Sequence, residues 1–546
     1  MNIALAQIEI VAGQPARNAE KILQYIERAK SQRAELIIFP ANSISGKFIG
    51  DTASSESFLR DCKFFEEKII SASSDIAVIF GSADKIIIAR YGNVIAPESP
   101  NVYQLKFGGK NYRIACNIDE NFDAAHLDLC VNISSTPFRI GESQIHDEKF
   151  SAQAKNFKCP VIYVNATGIQ NRGKVIYTYE GNSTVYNSEG GIVHGIEIYE
   201  ENLSVIDFDK IDNLPPLELA DYEEIDEIFS AIFYGVEKFL QQINVSKVVI
   251  GISGGIDSAV AAALYTKILG AENIYLINMP SVFNSATTRG LSEQLAKNLG
   301  CNYAVVPIQE SVDFTVKQLE SSCKIKISNF VKENIQARDR SGRILAAIAA
   351  AVGGVFTCNA NKAETTVGYA TLYGDEAGFL CALADLWKFQ VYALARYLNE
   401  VIYTDEVIPQ GIIDIVPSAE LSSAQNVDEG KGDPLKYPYH DYLFRAFVED
   451  LKTPEDILRG YVEGTLENEI GCERGLVQKY FPTAKDFTAD LERWWKLFTG
   501  IAVAKRIQSP PILAVSRRAY GEYQESQNIP YFTQAYNDLK KKIIGK

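Results

Sequence analysis

The sequence predicts an α/β protein with two domains, an α/β layered sandwich followed by a doubly wound parallel sheet. The chain has 546 residues, which is more than one hydrophobic core usually organises. Many short apolar runs and few helical patterns fill its first part, whereas strands and helices alternate regularly in its second part. A polar, acidic stretch with a Pro-Pro pair separates the two patterns. We therefore expect domains at 1–210 and 226–546, joined by a linker at 211–225.

The amino-terminal part begins with IALAQI, which has the apolar pattern of a buried strand. A helix is expected next, because Ala19, Ile22, Leu23 and Ile26 recur at the spacing of one helical face. A longer polar helix is expected at 143–157. The remaining apolar runs have the length of strands: LIIFP, IAVIFG, YRIAC, LDLCVN, VIYVNAT and STVYN. Brief strands with few helices favour the layered sandwich.

The carboxy-terminal part alternates between helices and strands. Helices are expected at 223–242, 258–269 and 285–299, and the strands between and after them read KVVIGI, IYLINM and YAVVPI. Strands that alternate with helices of this length form parallel βαβ units. Such a sheet binds its ligand at the carboxyl ends of its strands.

Composition excludes several classes of function. A net charge of −15 argues against a general nucleic-acid binder, because phosphate contacts need a surplus of Lys and Arg. The nine cysteines contain no CxxC pair and the four histidines are scattered, which disfavours a disulfide framework and a His-ligated metal. The longest apolar stretch, at 344–356, is too short to span a bilayer. We expect a cytoplasmic protein without a nucleic-acid or membrane partner.

The strand KVVIGI runs directly into SGGIDS, from Ser253 to Ser258, and then into an alanine-rich helix. Glycines allow backbone N–H groups to face an anion, and the helix N-terminus behind them adds a favourable partial charge. The string lacks the Lys-Ser/Thr of a Walker A loop and the GxGxxG spacing of a dinucleotide fingerprint. It predicts a phosphate-binding loop of another kind.

The loop resembles the pyrophosphate loop of the ATP pyrophosphatases, which split ATP into AMP and pyrophosphate. Four further blocks follow in order: ENIQAR, NKAETTVGYATLYGD, DLWKFQVYALARY and PSAEL. Together they resemble the NAD synthetases over essentially all of 216–546. This resemblance implies a Rossmann-like domain of the adenine nucleotide alpha hydrolase type.

The resemblance also implies a ligase of NAD biosynthesis. Deamido-NAD would be adenylated by ATP with Mg²⁺, and ammonia would then displace AMP, since AMP is a far better leaving group than oxide. The family comparison implies a catalytic set and a set that binds ATP or deamido-NAD. The catalytic residues would be Asp257, Glu364, Lys388 and Ser418, with Asp257 and Glu364 as metal ligands. The binding residues would be Ser253, Gly254, Gly255, Asp257, Ser258, Met279, Arg338, Asp375, Lys505 and Arg506.

The chain departs from the family pattern at two positions near these blocks. Cys358-Asn359-Ala360 stands where the family has Thr-Thr-Gly, and Ile415-Val416 replaces a lysine that often precedes PSAEL. We expect altered ATP contacts rather than loss of function. The polar, glycine-containing segment 427–441 has the composition of a mobile lid.

The amino-terminal 210 residues resemble the nitrilase-type glutamine amidotransferase domain, an α-β-β-α sandwich fused to many NAD synthetases. The matching stretches include ELIIFP, STPFRIGES and VIYVNATGIQNR. That family uses a glutamate base, a lysine and a cysteine nucleophile. Ala41 stands at the glutamate position, the lysine loop is deleted, and only the cysteine persists, as Cys116. Without a base or a cation nothing lowers the pKa of a thiol from about 8.5.

We therefore expect an inactive glutaminase domain and a synthetase that uses free ammonia or ammonia from a separate donor protein. Rescue of the glutaminase by Asp119, Glu120 or Lys110 would give a glutamine-hydrolysing enzyme instead. The same residues would also suit a synthetase that amidates another carboxylate, or a nucleotide-sensing pseudoenzyme. The family resemblance implies a homo-oligomer, a dimer or higher.

Overall fold

The computed structural model describes residues 1–83, 85–119, 122, 126–217, 223–520 and 529–545, and part of the predicted linker, residues 218–222, lies outside them. The chain forms two compact units. The amino-terminal unit comprises Met1–Arg172 and Ile176–Lys238, and the carboxy-terminal unit comprises Gly173–Val175 and Phe239–Lys546. The division falls within helix α4 (Glu224–Gln242), which the sequence pattern assigns mostly to the second domain.

The amino-terminal unit is built on two six-stranded sheets. One sheet has the order β14-β1-β2-β3-β4-β5 and the other β13-β12-β9-β8-β7-β6, with β10 and β11 paired separately. The strands are β1 (Asn2–Gln7), β2 (Leu36–Ile38), β3 (Ala77–Ser82), β4 (Lys85–Arg90), β5 (Asn93–Val94), β6 (Val102–Phe107), β7 (Lys110–Cys116), β8 (Leu129–Ile133), β9 (Val161–Val164), β10 (Thr167–Arg172), β11 (Val175–Glu180), β12 (Thr184–Tyr186), β13 (Ile192–Gly195) and β14 (Asn202–Asp207).

The main core of this unit lies between the two sheets. Leu5 and Ile38 from one sheet and Ile114 and Val131 from the other belong to a single cluster of buried side chains. Helix α3 (Glu142–Phe157) covers the outer face of the second sheet through a further cluster that includes Phe150. Helices α1 (Pro15–Ser31) and α2 (Glu56–Ala72) complete the α-β-β-α sandwich. The predicted fold class of the first domain is confirmed.

The carboxy-terminal unit contains a four-stranded sheet in which every pairing is parallel, in the order β17-β16-β15-β18. Its strands are β15 (Val248–Gly251), β16 (Ile274–Asn278), β17 (Asn302–Val305) and β18 (Val355–Phe356), and β19 (Ile512–Ala514) follows near the end of the chain. The all-parallel order confirms the predicted doubly wound fold.

Helices surround this sheet, and α5 follows β15 directly. The helices are α5 (Ile256–Leu269), α6 (Ala286–Leu299), α7 (Gln309–Cys323), α8 (Asn329–Arg338), α9 (Ala346–Val352), α10 (Lys362–Val367), α11 (Lys388–Tyr397), α12 (Gln410–Asp414), α13 (Tyr437–Val448), α14 (Pro454–Glu463), α15 (Leu466–Ile470), α16 (Leu476–Tyr480), α17 (Ala484–Thr499), α18 (Ile501–Gln508) and α19 (Gln534–Ile544). Within the described ranges, none of the helices combines the length and the apolar character that a membrane span requires.

Candidate active site

The predicted phosphate loop connects the carboxyl end of β15 to the first turn of α5. Gly254 has a φ of +86°, and Gly255 is the N-cap of α5. Short hydrogen bonds fix the turn: Gly255 N donates to Ser253 Oγ over 3.2 Å, and Ser258 Oγ donates to Gly255 O over 3.0 Å. The backbone therefore has the conformation of an anion cradle at a helix N-terminus.

Gly254 also lies in close contact with helix α6. A Cβ atom at this position would come within 2.3 Å of the Thr288 carbonyl oxygen. The glycine is required both by its positive φ and by this contact. The phosphate loop is thus seated directly on the first turn of α6.

Two carboxylates meet beside the loop, one from α5 and one from α10. Asn361 Nδ2 donates to Asp257 Oδ1 over 3.0 Å and to Glu364 Oε1 over 2.8 Å. Lys388 Nζ lies 2.5 Å from Asp257 Oδ2 and 3.7 Å from Glu364 Oε1. Tyr437 donates its hydroxyl to Glu364 Oε1 over 3.2 Å. Three predicted catalytic residues are therefore in direct contact.

Burial and mutual repulsion shift the proton equilibria of this cluster. Burial and the neighbouring Asp257 raise the pKa of Glu364 to about 8, against the opposing effect of Lys388. Burial alone would lower the pKa of Lys388, but Asp257 and Glu364 outweigh it and raise that pKa. The ammonium group is therefore a permanent cation, whereas Glu364 can release its proton when a further cation binds.

The carboxylate pair suits magnesium. Mg²⁺ commonly binds one or two carboxylates and completes its coordination with phosphate oxygens and water. No group of three or more Asp, Glu, His or Cys side chains arranged for a metal occurs among the residues that the structure describes. The site thus fits a cation that arrives with a phosphorylated ligand, and Asn361 already holds the two carboxylates together.

The opposite side of the site contains Asp375 and Lys505. Thr371 N donates to Asp375 Oδ1 over 2.6 Å, and Lys505 Nζ donates to the carbonyl oxygens of Gly368 and Ala370 over 2.7 and 2.5 Å. Burial raises the pKa of Asp375, while Lys505 and Arg340 act in the opposite direction. The Asp375 carboxyl group is exposed to the cavity and lies next to a cation, so it is suited to bind a hydroxyl or amide group of a ligand.

The PSAEL segment and the predicted lid close a third side. Ser418 Oγ donates to Gln425 O over 2.6 Å. Asp433, in the lid segment, accepts hydrogen bonds from Tyr369 OH over 3.1 Å, from Ala419 N over 3.0 Å and from Gln425 Nε2 over 3.0 Å. The lid segment therefore lies against the PSAEL segment and faces the cavity.

These groups line one cavity of about 420 Å³. Its wall includes most of the residues predicted for ATP and deamido-NAD: Ser253, Gly254, Gly255, Asp257, Ser258, Met279, Glu364, Asp375, Lys388, Ser418 and Lys505. Both departures from the family pattern line it too, through Asn359-Ala360 and Ile415-Val416. These residues are therefore placed where they could alter ATP contacts, and the altered contacts stay a prediction.

Arg338 and Arg506 do not belong to this wall. Arg338 is exposed and donates from Nε to Leu372 O over 3.1 Å. Arg506 is buried, donates to the Thr366 and Phe498 carbonyl oxygens over 2.6 and 3.2 Å, and lies over the Tyr520 ring. Its contacts are those of a residue that stabilises the fold.

Sequence reasoning missed Arg340, which lines the cavity two residues after Arg338. Its Nε donates to Met279 O over 3.0 Å, and burial lowers its pKa to about 10 against the effect of Asp375. The signal was present, because the run QARDR offers two arginines and the helical turn places only one of them toward the sheet.

Ala41 and Cys116, the residues predicted for the second site, lie in the amino-terminal unit. Ala41 follows β2 and packs against the core cluster that contains Cys116, and its N–H donates to Ser134 O over 3.0 Å. Cys116 ends β7 and is only 1% exposed. Burial raises the pKa of its thiol to about 12. At neutral pH the sulfur is therefore a thiol and not the thiolate that attacks an amide.

The residues considered as alternative catalytic groups for Cys116 can be compared by their positions. Lys110 begins the strand that Cys116 ends, so the two Cα atoms are about 20 Å apart. Asn117, the residue after Cys116, uses its side chain to pair with the Ile133 backbone over 3.0 and 2.8 Å. Glu120 lies outside the described residues. Lys110 is thereby removed from the candidates.

The fold and the site together define an α/β domain with a glycine loop between a parallel strand and a helix N-terminus, in one chain with a nitrilase-like sandwich. Residues 222–470 match the NAD synthase family, and residues 2–85 match the carbon-nitrogen hydrolase family. The chain therefore combines a NAD synthetase domain with a nitrilase-like domain.

Similar proteins share this organisation over their full length. The glutamine-dependent NAD(+) synthetase of Synechocystis is 29% identical over 95% of this chain and 97% of its own. A glutamine-dependent NAD(+) synthetase structure from Cytophaga hutchinsonii covers 100% of this chain and 99% of its own, with 16% identity and a TM-score of 0.78. One from Acinetobacter baumannii, in complex with ADP, covers 97% and 98%, with 23% identity and a TM-score of 0.67. The two structures bear on the fold alone.

Proposed function

We propose that this protein converts deamido-NAD to NAD with ATP, and that ammonia is its nitrogen source. The observation that carries the proposal is the meeting of Asp257, Glu364 and Lys388 beside a glycine loop at a helix N-terminus. A triphosphate needs backbone N–H groups, a metal and a fixed cation. This cavity offers the N–H groups of the loop, two carboxylates that would hold the metal, and the ammonium group of Lys388.

The reaction proceeds in two displacements. A carboxylate oxygen of the nicotinate attacks the α-phosphorus of ATP, and pyrophosphate leaves with the electrons of the broken P–O bond. Ammonia then attacks the acyl carbon, AMP leaves, and a proton is lost to give the amide. The loop from Ser253 to Ser258 holds the pyrophosphate, Lys388 balances its charge, and Asp375 with Lys505 orients the dinucleotide.

Asp257 and Glu364 are the magnesium ligands in this proposal. The metal supplies charge neutralisation of the phosphates during adenylation. Lys388 contacts both carboxylates, so a metal held by Asp257 and Glu364 would leave the ammonium group free to pair with phosphate. Ser418 lies in the PSAEL segment, where its hydroxyl can bind the reacting end of the triphosphate.

The nitrogen source follows from the amino-terminal unit. A general base and an oxyanion donor each contribute about 10²-fold or more to such hydrolysis. Ala41 cannot act as a base, and Cys116 is a buried thiol with a pKa of about 12. We infer that the nitrilase-like domain is inactive toward glutamine and that ammonia reaches the synthetase free or from a separate protein.

The similar proteins named above are glutamine-dependent by name, so a glutamine-hydrolysing enzyme is the second candidate. Two observations favour ammonia. The resemblance to the amidotransferase family places Ala41 where that family has its glutamate base. The match to the carbon-nitrogen hydrolase family ends at residue 85, before Cys116. A homo-oligomer and a cytoplasmic location are part of the proposal and can be checked by light scattering and fractionation.

One assay separates the two donors. We expect NAD formation from deamido-NAD and ATP with ammonium, and a rate with glutamine at least ~100-fold lower. The Cys116→Ala variant should match the unaltered protein with either donor, and Cys323→Ala, which changes an exposed thiol, is its control. Glutamine-dependent synthesis that Cys116→Ala abolishes would overturn the ammonia proposal while leaving the synthetase reaction intact.

A further inference from the structure

Glu420 is a buried carboxylate that contacts the cavity wall from behind. It is 1% exposed and absent from the cavity lining, although Pro417, Ser418, Ala419 and Leu421 on either side of it do line the cavity. Its φ of +47° is a left-handed conformation that a non-glycine residue adopts at an energetic cost. Such a conformation persists only where neighbouring contacts impose it.

The contacts that impose it lie at the N-terminus of α6. Glu420 accepts hydrogen bonds from Ser285 N over 3.2 Å, from Thr288 Oγ1 over 2.7 Å and from Asn284 Nδ2 over 3.4 Å. A carboxylate is favoured there because the first turn of a helix has unpaired N–H groups and positive partial charge. The side chain thus fixes the PSAEL segment to α6.

Two of these residues also hold other parts of the cavity wall. The Thr288 carbonyl oxygen is the atom against which Gly254 of the phosphate loop is seated. Asn284 Oδ1 accepts a hydrogen bond from Arg340 Nη2 over 3.2 Å. Glu420 is therefore linked to the phosphate loop through Thr288 and to the cavity residue Arg340 through Asn284.

The backbone of Glu420 positions Ser418, a third part of the cavity wall. Its N–H donates to Ser418 Oγ over 3.2 Å, and that hydroxyl donates in turn to Gln425 O. The rotamer of Ser418 is thus set by the residue whose side chain is anchored on α6.

We infer that Glu420 is a positioning residue that holds Ser418, the phosphate loop and Arg340 in one frame around the nucleotide phosphates. The expected effect on kcat rests on the proposed function. The expected effect on nucleotide affinity does not depend on it. In Glu420→Gln an amide N–H₂ group stands at one of the two oxygen positions and faces a hydrogen-bond donor there, so the frame loosens while the volume of the side chain is kept.

The test measures Mg²⁺–ADP affinity by calorimetry and kcat for NAD formation in Glu420→Gln, Thr288→Val and the double variant. Each single change should weaken ADP binding at least ~5-fold and lower kcat ~10-fold, because small misplacements of phosphate-binding groups are costly. If Glu420 acts through Thr288, the ADP affinity and the kcat of the double variant should lie within about twofold of those of the more impaired single variant. Glu463→Gln, at an exposed position of α14, is the matched control.

Thermal unfolding of each variant separates positioning from folding. Glu420→Gln should remain fully folded at the assay temperature, so the losses fall on affinity and kcat. Effects that multiply in the double variant, an affinity within twofold of the unaltered protein, or losses equal to the unfolded fraction would each overturn the inference. Normal ADP binding by the unaltered protein without any NAD formation would instead refute the proposed function, and the affinities would still decide the role of Glu420.

Discussion

At the scale of single residues, Lys388 allows a direct test of its contribution to stability. Its side chain is 4% exposed and contacts both Asp257 and Glu364. Lys388→Gln leaves Asp257 beside Glu364 without its cation, and removal of one partner from a buried ion pair costs about 3 kcal/mol. We expect that loss in the free energy of unfolding, measured in urea without magnesium.

Magnesium should restore part of the stability of Lys388→Gln, because the cation takes the place of the ammonium group between the carboxylates. Lys496→Gln is the control, since Lys496 pairs with Glu492 on the surface and is 54% exposed. Such pairs contribute about 0–1 kcal/mol. Equal stability of the two variants, or no response of Lys388→Gln to magnesium, would show that the carboxylate pair is not a cation site.

Residue roles were only partly predictable from the sequence. The order of the family blocks identified Asp257, Glu364 and Lys388, which the structure brings together. It could not tell Arg338 from Arg340, because the choice depends on which side of a helical turn faces the sheet. Asn361 escaped notice for a similar reason, since bridging two carboxylates is visible only when both are present in space.

At the scale of elements, the phosphate loop depends on Gly254. Its positive φ and the contact with Thr288 O leave no room for a side chain. Gly254→Ala should lower kcat for NAD formation at least ~100-fold, because the loop must shift away from α6. Steady-state kinetics with ammonium measures this loss.

Gly290→Ala is the matched control on α6. A Cβ atom there meets nothing within 4 Å, and alanine is favoured over glycine in a helix by about 0.5–1 kcal/mol. This variant should keep its activity and unfold slightly later in denaturant. A Gly254→Ala protein as active as Gly290→Ala would mean that the loop does not bind phosphate.

Elements with a strong pattern were predicted closely. The helix expected at 285–299 is Ala286–Leu299, and the one expected at 143–157 is Glu142–Phe157. The strands β4, β6 and β11 were missed, because Lys, Arg and Gln interrupt their apolar residues or because they follow short turns. Strand formation depends on packing against neighbouring strands, so local pattern carries little of the signal.

At the scale of the whole molecule, the two units differ in the charged groups at their predicted sites. The carboxy-terminal unit keeps a nucleotide cavity with its charged groups converging. The amino-terminal unit has a sandwich core that includes Cys116, with Ala41 packed against it. A fold is maintained by packing and a site by a few side chains, so this fold can occur with or without an active site, and loss of the glutaminase site stays a prediction.

The central claim is that the carboxy-terminal cavity activates a dinucleotide carboxylate with ATP. The most direct measurement follows NAD, AMP and pyrophosphate together after mixing the full chain with deamido-NAD, ATP, magnesium and ammonium. We expect equal amounts of the three products, and their loss in Asp257→Asn and Glu364→Gln. Pyrophosphate release without NAD, or synthesis that both variants sustain at the unaltered rate, would contradict the claim.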